Sequence, residues 1–221
     1  MDNINKTFID GHEYIDLGLP SGVLWATCNI GASKPEEYGN YFAWGETEPK
    51  DNYNMDSYKY CKDKMTELTR YCTDPRNGDW GFTDGLIELL PEDDAAATNW
   101  GGKWKTPTIW LLRELVDSEC TTTEWTTLND VYGRMITSKN NGRSIFLPAG
   151  GYRYGKQLDG TSQHGDYWSC TLRIDSPIPF DYEADKLRIS AAPIDYDLDI
   201  WKNCDRHYGH NIRPVCFRDE G

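Results

Sequence analysis

Apolar positions along this chain fall in short, interrupted groups, and one stretch keeps a helical repeat. After Pro107, the residues Ile109, Leu112, Leu115 and Val116 share one face of a 3.6-residue period, with Thr108 placed as an N-cap. The spacing predicts a helix there. An earlier helix start is predicted at Pro91-Glu92-Asp93-Asp94-Ala95-Ala96-Ala97. Proline is tolerated in a first turn, acids complement the positive end of the helix dipole, and alanines propagate the helix. Those acids would also suit a calcium site, but capping suffices to explain them.

Elsewhere the pattern is that of strands. Residues from Glu13 read as a strand, Leu19-Pro20-Ser21-Gly22 as a turn and Val23–Thr27 as a second strand, together a hairpin. Thr121–Leu128 and Val131–Ser138 flank Asn129-Asp130. Asn140-Asn141-Gly142 is a turn signal before the strand Ser144–Pro148. Later strands are predicted at Tyr167–Leu172, Lys186–Ser190 and Asn211–Phe217. Two early helices followed by many short strands make the fold class α+β. Residues 1–11 read as a lead-in and 12–221 as a single domain, within which 46–85 hold no sustained period and read as an irregular insertion.

Composition narrows the partners. Hydrophobic content is 38%, but nine Trp and fourteen Tyr among 221 residues supply enough apolar area for a core. Acidic residues outnumber basic ones by 36 to 23, a net charge of −13, so a phosphate backbone is a poor partner and no nucleic acid is expected. No apolar run reaches the roughly 20 residues that span a bilayer, so no membrane insertion is expected. Met1–Gly11 shows no basic-then-apolar leader. The seven cysteines (28, 61, 72, 120, 170, 204 and 216) contain no CxxC, which disfavours a zinc knuckle, and buried free thiols are the expectation.

Several motifs are specific enough to suggest a family. The run Tyr14-Ile15-Asp16-Leu17-Gly18-Leu19-Pro20-Ser21-Gly22-Val23-Leu24-Trp25-Ala26-Thr27-Cys28-Asn29 is the longest. With it go Glu36-Glu37-Tyr38-Gly39, Phe42-Ala43-Trp44-Gly45-Glu46-Thr47, Glu92-Asp93-Asp94-Ala95-Ala96 and Asn99-Trp100-Gly101-Gly102. Ser144–Arg153, Tyr167-Trp168-Ser169 and Ile212-Arg213-Pro214-Val215 complete the series, from about residue 12 to 218. This order of motifs resembles the Fibrobacter succinogenes major paralogous domain family of gut Bacteroidetes. The resemblance implies a C-type-lectin-like fold, shared with formylglycine-generating enzymes and with the targets of diversity-generating retroelements. The chain departs from the family in two places. Leu111 stands where the capping-box Glu is expected, and Cys170 where a second Ser is common.

The same resemblance implies a non-catalytic recognition domain, on a cell surface, secreted or on a phage virion, that binds a protein or glycan. Variable residues of retroelement-diversified relatives lie between the Tyr-Trp-Ser strand and the Arg-Pro-Val strand, here Thr171 to Asn211. Candidate contacts in that interval are Arg173, Asp175, Asp195, Tyr196, Asp197, Trp201, Asn203, Asp205 and His207. Between Asp175 and Asp199 there are seven acids and two bases, interleaved with Tyr182 and Tyr196 and followed by Trp201 and Tyr208. Rings among hydrogen-bonding groups suit recognition; the bland alternative is an acidic surface with its rings turned inward.

Other chemistry is weaker. Calcium-dependent sugar lectins of that fold carry Glu-Pro-Asn or Gln-Pro-Asp with Trp-Asn-Asp, and none occurs here, so neither metal nor cofactor is expected. Enzymatic relatives need a reactive cysteine pair, and Cys204 and Cys216 sit in unrelated local sequence. His207-Tyr208-Gly209-His210 would suit a metal only on a helix; Gly209 predicts a turn in a solvated loop instead. Gly150-Gly151 reads as a bend rather than a phosphate loop.

Overall fold

A computed structural model of the chain describes residues 7–173, 181–192 and 205–218. It is α+β, built from small antiparallel sheets and two helices. The first sheet orders its strands β1 (Thr7–Ile9), β2 (His12–Ile15), β3 (Leu24–Ala26), β12 (Val215–Cys216) and β4 (Trp104–Lys105). The near-terminal strand β12 therefore lies inside the sheet, pairing Val215 with both Trp25 and Lys105.

The predicted β2–β3 hairpin is present, closed by Gly22 N donating to Leu19 O at 2.9 Å. The lead-in reading is corrected: β1 folds back on β2 through Asp10-Gly11, both at positive φ. A three-stranded meander, β5 (Thr121–Leu128), β6 (Val131–Ser138) and β7 (Ser144–Pro148), has the boundaries its sequence predicts. Asn140 and Asn141 also reach out of their turn, donating side-chain N–H to Gly18 O and Asp16 O. The last predicted strand, Asn211–Phe217, shortens to β12.

Helix α2 (Ile109–Val116) begins where predicted, with Thr108 Oγ1 accepting from Leu111 N at 3.3 Å and Ile109, Leu112, Leu115 and Val116 buried. Farther along the helix, Glu114 accepts Ser21 N and Oγ at 2.8 and 2.5 Å and pins the Pro-Ser-Gly turn to α2.

The earlier helix start divides. Pro91–Asp93 is a 3₁₀ turn, and α1 (Ala95–Trp100) starts after Asp94, whose carboxylate accepts from Ala96 N and from Thr106 N and Oγ1. Asp93 is not a cap. It accepts from the hydroxyls of Tyr60 and Tyr71 and ion-pairs with Arg70 at 2.7 Å. Burial pushes the Asp93 carboxyl up, but these donors outweigh it and hold it below its ordinary value.

Residues 46–85 are irregular, as expected, yet they are no appendage. Tyr53, Tyr58, Tyr60, Cys61, Leu68, Tyr71 and Cys72 are buried in one core cluster with Trp44, Trp168 and Leu172. Tyrosines suit a segment without a ladder, because each ring fills the core while its hydroxyl finds a fixed acceptor. Tyr53 donates to Tyr41 O, and Tyr58 to Trp44 O. A second cluster packs α2 against Trp25, Ile136, Leu147, Tyr167, Leu187 and Val215.

The Tyr-Trp-Ser strand lies between these clusters as β10 (His164–Leu172), antiparallel to β11 (Ala184–Ser190). Trp168 Nε1 donates to Phe42 O and Trp44 Nε1 to Ser169 O, both at 2.8 Å, which lock the strand to the 42–44 segment. Arg213, fully buried, donates to Asn29, Thr27 and Ala26 on one side and to Phe146 O on the other. The Arg-Pro-Val motif is thus a clamp between chain ends.

Candidate functional site

The predicted interval 171–211 is rooted in a block of buried polar groups. Arg173 ion-pairs with Glu183, and its N–H donates to Glu183 O at 3.3 Å. Glu183 is bridged to Asp205, and Arg206 N donates to Tyr182 O at 2.9 Å. Asp181 receives Thr73 Oγ1, Asp74 N and Asn77 Nδ2 at 2.7, 2.9 and 3.2 Å, so the start of the second segment is tied to residues 73–77.

Arg206 is buried, and the acceptors it meets among the described residues are mostly backbone carbonyls. Its guanidinium donates to Tyr58 Oη, Tyr71 O, Asp181 O and Arg70 O, and lies 4.8 Å from the Trp44 ring centre. Such a planar fork can satisfy several fixed acceptors at once. Arg134, on β6, donates to Thr123 Oγ1 at 2.9 Å and to the carbonyls of Ser190 and Ala192 where β11 ends. Arg173, Asp181, Glu183, the Ser190 and Ala192 carbonyls and Arg206 are therefore held by side-chain contacts, and Tyr182 and Asp205 by backbone ones.

Beneath this block lies a buried charge cluster. Asp166 on β10 pairs with Lys186 and Arg188 on β11 and with His164 Nδ1 at 3.2 Å. Asp166 and Lys186 are both fully buried. Burial raises the Asp166 carboxyl, but the Lys186 ammonium and the donors from His164 and Arg188 hold it well below its ordinary 3.8.

The open side of the frame carries rings. The hairpin β8 (Tyr152–Tyr154) and β9 (Gln157–Asp159) joins residues 205–211 through backbone bonds between Arg153 and Gly209. Gly209 is required there, since a Cβ would stand 2.6 Å from the Tyr53 ring. Tyr152 stacks on Tyr208 at 5.7 Å, and Tyr154, half exposed, meets the Tyr208 edge at 5.1 Å. These rings, not singled out from sequence, lie beside Asp205 and His207. Their signal was available in the alternating Tyr152-Arg153-Tyr154, where alternation puts both tyrosines on one face.

Asp205 and His207 titrate in opposite senses. Burial, then the Glu183 charge, raise Asp205 to about 6, against a hydrogen bond with Tyr208 that lowers it. Burial, then the Lys50 charge, lower His207 to about 4. Asp205 contributes stability below 3.8 that is lost as pH rises through about 6, whereas the His207 contribution is complete above 6.5 and lost as pH falls through about 4. The two slopes offset each other. Asp205→Asn is expected to stabilise the fold by on the order of 2 kcal/mol near pH 8 and by almost nothing near pH 4. Urea denaturation at both pH values checks this, and an equal gain at both would contradict it.

The sequence-predicted contacts divide. Arg173 and Asp205 both adjoin Glu183 at the root of the interval, whereas His207 packs on Tyr154 and Tyr208. Asp175, Asp195, Tyr196, Asp197, Trp201 and Asn203 lie outside the described residues. The solvated-loop reading of His207 to His210 is corrected: His207 and His210 are buried, packed against Tyr208 and Trp168 respectively. The acidic stretch is also less exposed than it reads. Asp181 and Asp185 are buried and Glu183 is paired, while Asp175, Asp195, Asp197 and Asp199 lie outside the described residues.

Among the described residues, Cys28, Cys61, Cys72, Cys120 and Cys170 are free thiols. Burial pushes Cys72 and Cys170 up to about 12, which disfavours thiolate chemistry at either. Cys216 is fully buried in β12, and Cys204 lies outside the described residues. No cluster of three His, Cys, Asp or Glu side chains spaced for a metal occurs among the described residues. None of their helices is long and apolar enough to cross a membrane. Gly151 is at a bend, with φ +66°, as its sequence suggests. Compared with known proteins, the chain matches no family model, no curated protein and no solved structure.

Proposed function

We propose that this chain is a non-catalytic recognition domain that presents residues 171–211 to a protein or glycan on a cell surface. One observation carries the reading: two roots of that interval are fixed by side chains from other parts of the fold, Asp181 by Thr73 and Asn77 and the Ser190 and Ala192 carbonyls by Arg134, while Arg173–Glu183 and Arg206–Asp181 tie the roots to one another. A frame that does not depend on the sequence between its roots suits a surface whose contacts vary. Binding residues on loops held by a rigid scaffold are a common arrangement.

The C-type-lectin-like assignment and the kinship with the Fibrobacter succinogenes major paralogous domain family belong to the same proposal. They are supported by the motif series, by the late strand β12 lying next to β3, and by the two helices that precede the strand-rich half. Retroelement diversification of the interval follows as part of that kinship.

Trp201→Ala and Asp197→Ala are expected to abolish binding to whatever a glycan and surface-protein array selects with the wild-type chain. The melting temperature should stay nearly unchanged. Equal loss of binding and of folding would make these core residues and sink the proposal.

A further inference from the structure

A second, preformed cleft lies on the opposite side of β8 from the tyrosine face. It encloses about 360 Å³ and is lined by Asn40, Tyr41, Lys50, Asp51, Tyr53 and Arg153. That volume falls in the range of about 300–1,000 Å³ typical of small-ligand sites.

The walls are fixed before any ligand arrives. Tyr41 Oη donates to Gly150 O and Tyr53 Oη to Tyr41 O, each at 2.6 Å, and Tyr53 Oη accepts from Lys50 N at 3.2 Å. Backbone bonds join Tyr53 to Gly155 and Arg153 to Gly209.

Arg153 differs from the other guanidinium groups of the region. Arg206, Arg134 and Arg213 spend their donors on carbonyls and side chains, and Arg188 and Arg173 on carboxylates. The Arg153 guanidinium lies 5.1 Å from the Tyr41 ring centre, and no described side chain or carbonyl accepts from it. In a chain with 36 carboxylates, a half-buried arginine facing a cleft without an anion partner is unusual. The ring beneath supports the plane of the fork, leaving its N–H edge for a ligand.

We propose that this cleft binds a small ligand through a single carboxylate, received two-pronged by Arg153. The fork would suit phosphate as well. However, Asp51 on the rim and the net charge of −13 repel a dianion about twice as strongly as a monoanion. Lys50 adds little net attraction, because its ammonium already pairs with Glu46 at 2.8 Å. The carboxylate could come from an acidic sugar or from a free peptide C-terminus, which share the chemistry. This site stands apart from the 171–211 proposal and does not depend on it.

The test is an amide-shift titration of the full chain with methyl β-D-glucuronide and, separately, N-acetylglycylglycine. At least one is expected to shift the Tyr41, Tyr53 and Arg153 amides, and the tighter of the two identifies the source. The methyl ester of that ligand should bind at least about tenfold more weakly to the wild-type chain, a comparison that needs no variant. Arg153→Ala should weaken binding by a similar factor, Arg153→Lys should restore it only in part, and Trp110→Ala, at an exposed ring on α2, should leave it unchanged. Silence of those amides with both acids overturns the proposal. So does equal binding of acid and ester, or retention of full binding in Arg153→Ala.

Discussion

Asp166→Asn is expected to cost about 3–5 kcal/mol of folding stability, because it leaves the fully buried Lys186 ammonium without its counter-charge. The substitution keeps the shape of the side chain and removes only the charge. Lys186, being fully buried, is shut off from bulk solvent that could replace its partner, and Arg188 loses both carboxylate oxygens it grips at 2.9 Å. Adding Lys186→Met should recover a large part of the loss, since an apolar residue needs no counter-charge where an ammonium does. The pH dependence has a definite sign. A carboxyl held well below 3.8 contributes stability that is complete above that value and is lost as pH falls toward its folded pKa. The gap between wild type and variant should therefore be constant near neutrality and narrow only below about pH 4. Urea denaturation across that range measures it; a penalty under about 1 kcal/mol would show that the cluster is not worth what its burial implies.

Arg206→Met should be nearly as damaging, with a different signature. The acceptors left behind are the carbonyls of Arg70, Tyr71 and Asp181, and each one stranded without a donor costs about 1–3 kcal/mol. The loss should total about 4 kcal/mol after partial relaxation. Arg206→Lys should recover little, because one ammonium with three donors cannot span acceptors arranged around a planar fork. Hydrogen exchange distinguishes this from a uniform loss. The Tyr58–Cys72 amides and the 181–183 amides should lose protection together, whereas the β5–β7 meander should keep its own. If protection falls equally everywhere, Arg206 is not the local link between these segments.

The contrast between those segments explains what the sequence made legible. Strands β5 to β7 were readable to the residue because runs of five to eight residues rich in Thr and β-branched side chains pair with near neighbours, so local pattern and tertiary partner coincide. Helix α2 was readable for the same reason, its apolar face and its Thr108 cap agreeing. Strand β1 was missed although Asp10-Gly11 is a strong two-residue hairpin signal. A three-residue strand carries too little alternation to stand out beside it.

Residues 46–85 hid their role for a deeper reason. Their tyrosines are buried through hydrogen bonds to Trp44, Tyr41 and Asp93, and partners that far away leave no period in the local sequence. The histidines at 207 and 210 misled likewise, because a Gly between polar residues reads as an exposed turn. Here Gly209 serves close packing on Tyr53. Lys186, read as one of two bases softening an acidic surface, is instead the counter-ion of Asp166.

The placement of β12 between β3 and β4 has a consequence for how the chain is made. The first sheet cannot close until Val215 and Cys216 have left the ribosome, although Leu24–Ala26 emerge long before them. Between those two moments β3 waits with one row of amides and carbonyls unmet, open to pairing with a stranger. Nascent copies crowded on one message are thus most at risk from each other, and the arrival of β12 is what ends that exposure.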